Sequence, residues 1–406
     1  MIATDINIST SKIKYGLERT YKFLKACNNP HFFFPSVQII GTNGKGTVSI
    51  ILSNILKGCG YKVGTFTSPH LVDINERISI NNKTIDDREI RSFLDNYYNK
   101  FKNIEPSFFE LMTVMAMWYF KEKKVDIAIL ETGLGGRLDS ITACQNSILA
   151  FTSISMDHHS ILGNSLIKIA SEKAQAINNN NQKCISINQG NKINKILQKY
   201  AQKQDVDINF IDNEKNNFDL KYLRGDHQQI NANLAFAVAM NILQKDNRKI
   251  NISKVNQIIN NTFWNGRFQI IQKKPTVIYD VAHNNESLSS FIECFNEVIK
   301  NKKYRRKYLI VAFENNKKIK TVLRSYEKYF DYIICSETNI RTSMPSIAIK
   351  SIFSDNNNIS NNNNLYESIT RAIGSSKKGD IVAIVGSHFI APTLQKIFEN
   401  CFARKE

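Results

Sequence analysis

Ser36-Val37-Gln38-Ile39-Ile40-Gly41-Thr42-Asn43-Gly44-Lys45-Gly46-Thr47 is the stretch whose reading decides the fold. The segment from Pro35 to Ile40 reads as a short buried strand, the glycines as a tight turn, and the run from about Thr47 to Gly58 as a helix. A glycine-rich turn at a strand-to-helix junction points backbone N–H groups at an anion, and the helix N-terminus adds a favourable field. Glycines let the backbone approach closely, Lys45 offers a point charge to β- and γ-phosphates, and Thr47 can reach Mg²⁺. The usual spacing GxxxxGK[ST] is not met, because Gly46 separates Lys45 from Thr47. The bland alternative is an ordinary glycine turn. Three glycines, a lysine and a threonine at one junction argue against it. The helix end alone contributes about 1–2 kcal/mol, so Lys45 and a metal must carry most of the affinity.

Outward from this loop, strands alternate with helices. Tyr61 to Thr67 reads as a strand, Phe109 to Lys121 as a helix, and Val125 to Leu130 as a buried strand ending at Glu131. Ser147 to Ile154 gives another strand, Ser165 to Ile177 a helix, and Asn231 to Leu243 a later helix. That alternation predicts an open α/β sheet with functional loops at the carboxyl ends of its strands. The region after Asn178 is more polar and less patterned. Trp264-Asn265-Gly266-Arg267 reads as a linker, which sets domains at 1–264 and 265–406. Beyond it come strand Val277 to Asp280, helix Glu286 to Lys300, strand Tyr308 to Ala312, helix Lys317 to Tyr329, and strands Tyr332 to Ser336 and Ile381 to Val385. The asparagine runs at 178–181, 356–358 and 361–364 are expected to be solvent loops.

Composition narrows the partners without naming them. Lys plus Arg number 54 against 36 Asp plus Glu, a formal charge of +18, which calls for anionic partners of unspecified kind. Part of that charge is compositional drift in a chain rich in Lys, Ile and Asn. Seven scattered cysteines with no CxxC pair suggest neither a zinc site nor a redox motif, and free thiols fit a reducing cytoplasm. The amino terminus lacks the apolar core of a signal peptide, and no apolar run approaches the ~20 residues of a spanning helix. A cytoplasmic protein is expected, without a membrane partner.

The variant GTNGKGT resembles the ATP loop of the Mur-type ATP-dependent amide ligases and, within them, of the folylpolyglutamate synthase/dihydrofolate synthase family. The likeness continues in order along nearly the whole chain. Tyr15-Gly16-Leu17-Glu18-Arg19, Thr67-Ser68-Pro69-His70-Leu71 and Asn75-Glu76-Arg77-Ile78 resemble successive family segments. Phe108-Phe109-Glu110 and the run from Glu131 through Gly133, Gly135 and Gly136 to Asp139 follow. Asp157-His158, Leu162-Gly163, Glu172-Lys173-Ala174, Trp264/Gly266/Arg267, Asp280-Val281-Ala282-His283-Asn284 and Val385-Gly386-Ser387 complete the set. Each is weak alone. Their ordered sum is specific.

The resemblance implies a P-loop-type ATPase domain with an open, mostly parallel sheet, and a smaller Rossmann-like α/β domain behind it. It implies a ligase that joins L-glutamate to dihydropteroate and then to reduced folates through an acyl phosphate, using ATP and one or two Mg²⁺ ions. Gly41, Thr42, Asn43, Gly44, Lys45, Gly46 and Thr47 would hold the phosphates, with Asn231, Arg267 and Asp280 as further nucleotide contacts. Ser68, Glu131, His158 and Lys173 match metal positions, the lysine as an N6-carboxylysine formed with CO₂. Lys45, His158 and Lys173 would be the catalytic set.

Tyr15, Gly16, Leu17, Glu18, Pro106, Ser107, Phe108, Phe109, Leu138, Asp139 and Ser140 match the pterin side. His283 and Ser387, with Asn284 beside them, match the glutamate side. Read without the family, a lone histidine is more often structural, Lys173 a solvated helix lysine, Arg267 a surface charge and the two phenylalanines core. Ser140, Ile141, Thr142 and Gln175 depart from the family pattern. A peptidoglycan Mur ligase fits poorly, because only 40 residues precede Gly41. A folylpolyglutamate synthase lacking the dihydropteroate step stays open. A basic nucleic-acid-binding NTPase would need a basic stripe interleaved with aromatics, and Lys302-Lys303 with Arg305-Arg306-Lys307 reads as a solvated face. Small-molecule substrates, no nucleic acid, and a monomer are therefore expected.

Overall fold

In the computed structural model, residues 16–402 are described apart from 214, 316, 339 and 341; Tyr15 lies outside the described residues. The first elements in the chain are α1 (Glu18–Ala26), β1 (Ser36–Ile40), α2 (Lys45–Gly58) and β2 (Val63–Phe66). Two short strands, β3 (Ile78–Ile80) and β4 (Lys83–Thr84), precede α3 (Asp87–Ile104) and α4 (Phe108–Glu122). Then come β5 (Ile127–Glu131), β6 (Ile148–Phe151), α5 (Leu166–Ala174), β7 (Lys183–Ile187), α6 (Asn191–Lys203) and β8 (Ile208–Ile211). The helices α7 (Asp226–Lys245) and α8 (Ile252–Asn260) follow.

All five residues of β1 are buried, as are those of β5. Strands covered on both faces carry continuous apolar runs rather than alternation. The sheet order is β4-β3-β2-β5-β1-β6-β7-β8, with β3 and β4 antiparallel and the other six parallel. From β1 the chain leaves to one side and returns through β5 before crossing to β6. β1 is thus a switch point, the position at which open α/β sheets bind ligands beyond the carboxyl ends of their strands. One face packs α4, whose residues from Glu110 to Phe120 are all buried, against α1, α3 and β2. α5 and α6 pack near β6 and β7.

The second compact unit takes residues 221–226 and Phe263 onward, the first taking the chain to Leu220 and His227–Thr262. It contains β9 (Gln269–Lys273), β10 (Thr276–Asp280), α9 (Asn285–Asn301), β11 (Lys307–Val311), β12 (Tyr332–Ser336), β13 (Ile359–Asn362), α10 (Leu365–Ser375) and β14 (Ile381–Val385). Its sheet runs β13-β12-β11-β14-β10-β9, parallel except for β9.

Several expectations need correction. α2 starts at Lys45, so the lysine stands in the first turn rather than before the helix. α7 starts at Asp226, which places Asn231 in its second turn. The stretch after Asn178 supplies β7, α6 and β8. Asn181 is buried, its amide donating to Asn146 O at 2.6 Å and its Oδ1 accepting from Asn178 N at 2.8 Å. Asn361 and Asn362 lie in β13, so only Asn363 and Asn364 of that run are exposed loop. The expected helix from Lys317 to Tyr329 is a turn of α-helix over Lys320–Arg324 followed by a 3₁₀ turn over Ser325–Lys328. The segment read as a linker is built into the second unit: Gly266 N donates to Gln269 Oε1 at 2.9 Å, and Asn265 Nδ2 to Phe402 O at 2.9 Å.

Candidate active site

The loop after β1 is laced to the end of β6. A Cβ at Gly41 would sit 1.9 Å from Thr152 Oγ1, so only glycine fits this crossing. Thr42 N donates to Ser153 O at 2.6 Å, Ser155 N donates to Thr42 Oγ1 at 3.1 Å, and Asn43 Nδ2 donates to Ser155 Oγ at 3.1 Å. Gly44 has φ +86, and a Cβ there would meet Asn231 Oδ1 at 2.2 Å, which puts Asn231 directly against the loop. Lys45 folds back so that Nζ donates to Thr42 O at 3.0 Å. Thr47 is buried, with no hydrogen-bond partner for Oγ1 among the described residues. An orphaned buried hydroxyl costs about 1–3 kcal/mol, and an oxygen-seeking cation or its water would satisfy it.

Two neighbouring strand ends supply the next groups. Glu131, at the end of β5, is buried and accepts from Ser68 N at 3.0 Å, so the Ser68 and Glu131 positions adjoin. The loop from Ser68 to Arg77 is held by Glu76, whose carboxylate accepts from Leu71 N at 2.7 Å, Val72 N at 2.9 Å and Asp73 N at 2.8 Å. Among the described residues no three His, Cys, Asp or Glu side chains gather into a cage. A hard cation held by one carboxylate, hydroxyls, waters and phosphate oxygens asks for none. The hydroxyl of Thr47 and the carboxylate of Glu131 fit such an ion. His158, past β6, has φ +49, and its N donates to Asp157 Oδ1 at 2.8 Å; its side chain is exposed. A histidine held in the left-handed region stores strain of about 1–3 kcal/mol, a habit of functional positions.

Lys173 is not a solvated lysine. It is 4% exposed, and its Nζ donates to Gly41 O at 2.7 Å, with Gly135 O at 3.5 Å. Burial first, then repulsion from Lys45, lowers its ammonium to about 7, against the opposing pull of Asp139, Asp157 and Glu172. The glycine run before it explains the close approach: a Cβ on Gly136 would lie 2.8 Å from both Cα and O of Lys173. Arg137 ties the same run to α5, its N donating to Glu172 O at 3.3 Å and its Nε lying 3.4 Å from Glu172 Oε2. Because backbone cannot step aside, Gly136→Ala is expected to cost about 1–3 kcal/mol and to impair turnover by displacing Lys173. Denaturant melts and steady-state rates check this; a variant with parental stability and rate would remove the packing argument.

The positions matched to the ring-bearing substrate are also brought together. Ser107 caps α4 in a reciprocal box with Glu110, and Arg19 Nη2 pairs with Glu110 Oε1 at 3.1 Å, joining α1 to α4. Thr20 Oγ1 donates to Ser140 Oγ at 3.2 Å. A Cβ on Gly133 would strike the Phe109 ring at 2.7 Å, and that ring lies 5.6 Å from Phe66. Pro106 and Ser107 are buried; Phe108, Phe109, Leu138, Gly16 and Leu17 are half-buried, and Glu18 is exposed. Asp139 ties the glycine run together: its carboxylate accepts from Gly133 N at 3.0 Å, Leu134 N at 2.9 Å and Ile141 N at 3.0 Å. Burial nonetheless raises it to about 6.

In the second unit the matched residues collect at the carboxyl ends of β10 and β14. Asp280 accepts from Phe268 N at 2.7 Å and Ala282 N at 2.8 Å; burial raises its carboxyl, with Arg267 the leading opposing influence. His283 Nδ1 lies 2.9 Å from Val281 O, so Nδ1 carries the proton donated to that carbonyl. Asn284 caps α9, accepting from Ser287 N at 3.0 Å. Ser387 O accepts from Tyr279 Oη at 2.9 Å, and the ring of His388 stands 5.8 Å from that of His283.

Comparison with known proteins agrees with this layout. Residues 39–253 match the Mur ligase middle domain, and residues 266–388 the Mur ligase glutamate ligase domain. The dihydrofolate synthase/folylpolyglutamate synthase of Buchnera aphidicola subsp. Schizaphis graminum is 30% identical over 403 residues, covering 94% of this chain and 92% of its own. That of Bacillus subtilis is 30% identical over 314 residues, 70% of this chain and 73% of its own. The chain belongs to the folylpolyglutamate synthase/dihydrofolate synthase family. A bifunctional folylpolyglutamate synthase/dihydrofolate synthase from Yersinia pestis, complexed with AMPPNP and Mn ion, has the same fold: TM-score 0.84 at 22% identity, over 98% of this chain and 96% of that one.

Residues outside the motifs hold the glycine-rich loop after β1 in place. Thr152, Ser153 and Ser155 were visible as a hydroxyl run immediately past a buried strand. Arg77 was noticed only as part of a motif. No helix among the described residues is long and apolar enough to cross a membrane, and all seven cysteines are free.

Proposed function

We propose that this chain is an ATP-dependent, ADP-forming ligase that adds L-glutamate to dihydropteroate and to reduced folates, acting as a cytoplasmic monomer. The observation that carries the proposal is the junction at Gly41. The anion-binding loop after β1, the buried amine of Lys173 and the glycine run reaching the Phe109 ring meet there.

The acceptor carboxylate attacks the γ-phosphorus of ATP, ADP departs, and an acyl phosphate forms. The glutamate amine then attacks the acyl carbonyl, and inorganic phosphate leaves. Two anions meet in the first step, so positive charge must be in place beforehand. Lys45, lifted from Thr42 O, supplies it to the phosphates, and Gly41 to Thr47 orient them through backbone N–H groups. A divalent cation, when bound, neutralises phosphate charge. Thr47, Ser68, Glu131, His158 and Lys173 are the residues proposed to hold it, the lysine as an N6-carboxylate. A neutral amine is what reacts with CO₂, and an amine lowered to about 7 supplies it at neutral pH. Asn231, Arg267 and Asp280 are proposed nucleotide contacts, and His283, Asn284 and Ser387 glutamate contacts. Gly16 to Glu18, Pro106 to Phe109 and Leu138 to Ser140 would border the pterin.

The test is ATP- and glutamate-dependent product formation with dihydropteroate and tetrahydrofolate in parallel. Product from both is expected. Product from tetrahydrofolate alone would reduce the proposal to a folylpolyglutamate synthase, and product from neither would end it.

A further inference from the structure

Arg77 closes the loop that leaves β2 at Ser68 and returns into β3, and it is only 8% exposed. Its Nε donates to His70 Nδ1 at 2.9 Å, so that nitrogen is an acceptor. The guanidinium carbon stands 5.2 Å from the centroid of the Phe108 ring. Thr67 N donates to Arg77 O at 2.9 Å, and the next residue's N, that of Ser68, donates to Glu131 Oε2 at 3.0 Å, so Arg77 adjoins the end of β5, where Glu131 and then Glu76 are its attracting charges. Glu76 is already occupied by three backbone N–H groups. A buried cation is therefore set between the aromatic wall at the start of α4 and the carboxylate at the end of β5.

We propose that Arg77 binds the carboxylate of the acceptor substrate as that group passes from the ring wall at Phe108 toward the phosphate end at Glu131. The inference rests on the ligase reading above. An acceptor whose ring lies on Phe108 and Phe109 must direct its carboxylate along this line to reach a phosphate held by the loop after β1. A guanidinium presents a planar fork that matches a carboxylate in two parallel hydrogen bonds. Buried charges require partners. Glu131 would hold a divalent cation in place of serving Arg77 as counter-charge, and an incoming carboxylate would restore one. The acceptor should therefore bind more tightly after nucleotide and cation than before, and the gain should pass through Arg77.

Calorimetry without turnover tests this, using dihydropteroate and its carboxamide as ligands and protein saturated with ADP and Mn²⁺. The parent is expected to prefer the acid over the carboxamide by about tenfold or more. Arg77→Gln should bind the two equally, through weakening of the acid alone, and Arg77→Lys should keep part of the preference. An equal loss for both ligands, or an intact preference, overturns the proposal. Should Arg77→Gln fail to fold, Arg77→Lys decides: charge without the fork must lower the preference several-fold, and an unchanged preference overturns the idea. A parent protein that binds neither ligand and forms no glutamylated product removes the ligase reading itself, an outcome distinct from a lost acid preference.

Discussion

Lys45→Ala is expected to lose about 10²–10³-fold in kcat, the scale for removing one preorganised group that meets developing transition-state charge, while leaving the fold intact. The stability side follows from its surroundings. Lys45 is half-buried in the first turn of α2, and its Nζ donates to the Thr42 carbonyl at 3.0 Å. Such a bond contributes only about 0.5–1.5 kcal/mol, and the loop is held independently through Ser153 and Ser155. A second effect is less obvious. Lys45 is the charge that, after burial, lowers the Lys173 amine. Its removal should make Lys173 more basic, leaving less neutral amine to take up CO₂. Steady-state rates, a thermal melt and ¹³C NMR after labelled bicarbonate would separate the two effects. Parental turnover in Lys45→Ala would remove the phosphate-loop assignment.

The parts of the fold that could be read in advance are those where one physical signal dominates. β1, β5, β12 and β14 are short apolar runs, because strands covered by helices have no solvent face to mark. The glycine-rich loop after β1 was legible because its glycines serve geometry: Gly41 meets Thr152, and Gly44 takes a positive φ beside Asn231. α3 went unread although Ile90 and Phe93 are fully buried at helical spacing, because charged and asparagine residues fill its other faces. β7, α6 and β8 lie toward one edge of the sheet, where β8 is only partly covered and its apolar signal weakens. Asn181 misled for another reason. A polar run reads as solvent-exposed, yet an asparagine that hydrogen-bonds backbone on both sides of a turn can be buried. The environment of Lys173 could not be read from composition at all. It is made by contacts with Gly41 and Gly136, separated from it by 132 and 37 positions in the chain.

That environment sets the second large expectation. Lys173→Ala should lower turnover by at least about 10²-fold, and acetate or propionate should restore part of it by occupying the place of the proposed N-carboxylate. The pH dependence of the unmodified protein follows from the same burial. Its folded value is about 7 against an ordinary 10.5, so between those limits the unfolded chain binds a proton that the folded chain does not. Stability must then rise with pH across that window. The contribution is complete above about 10.5 and lost as pH falls through 7. Lys173→Met, which keeps the chain's bulk and has no proton to lose, should flatten the rise and be more stable than the unmodified parent at pH 6. CO₂-stripped enzyme should likewise recover activity with bicarbonate faster at pH 8 than at pH 6, because the neutral amine prevails only above its own value. Full unassisted activity in Lys173→Ala would exclude the carboxylated lysine. A stability profile for Lys173→Met that rises as steeply as the parent's would show that the buried amine is not the group responsible.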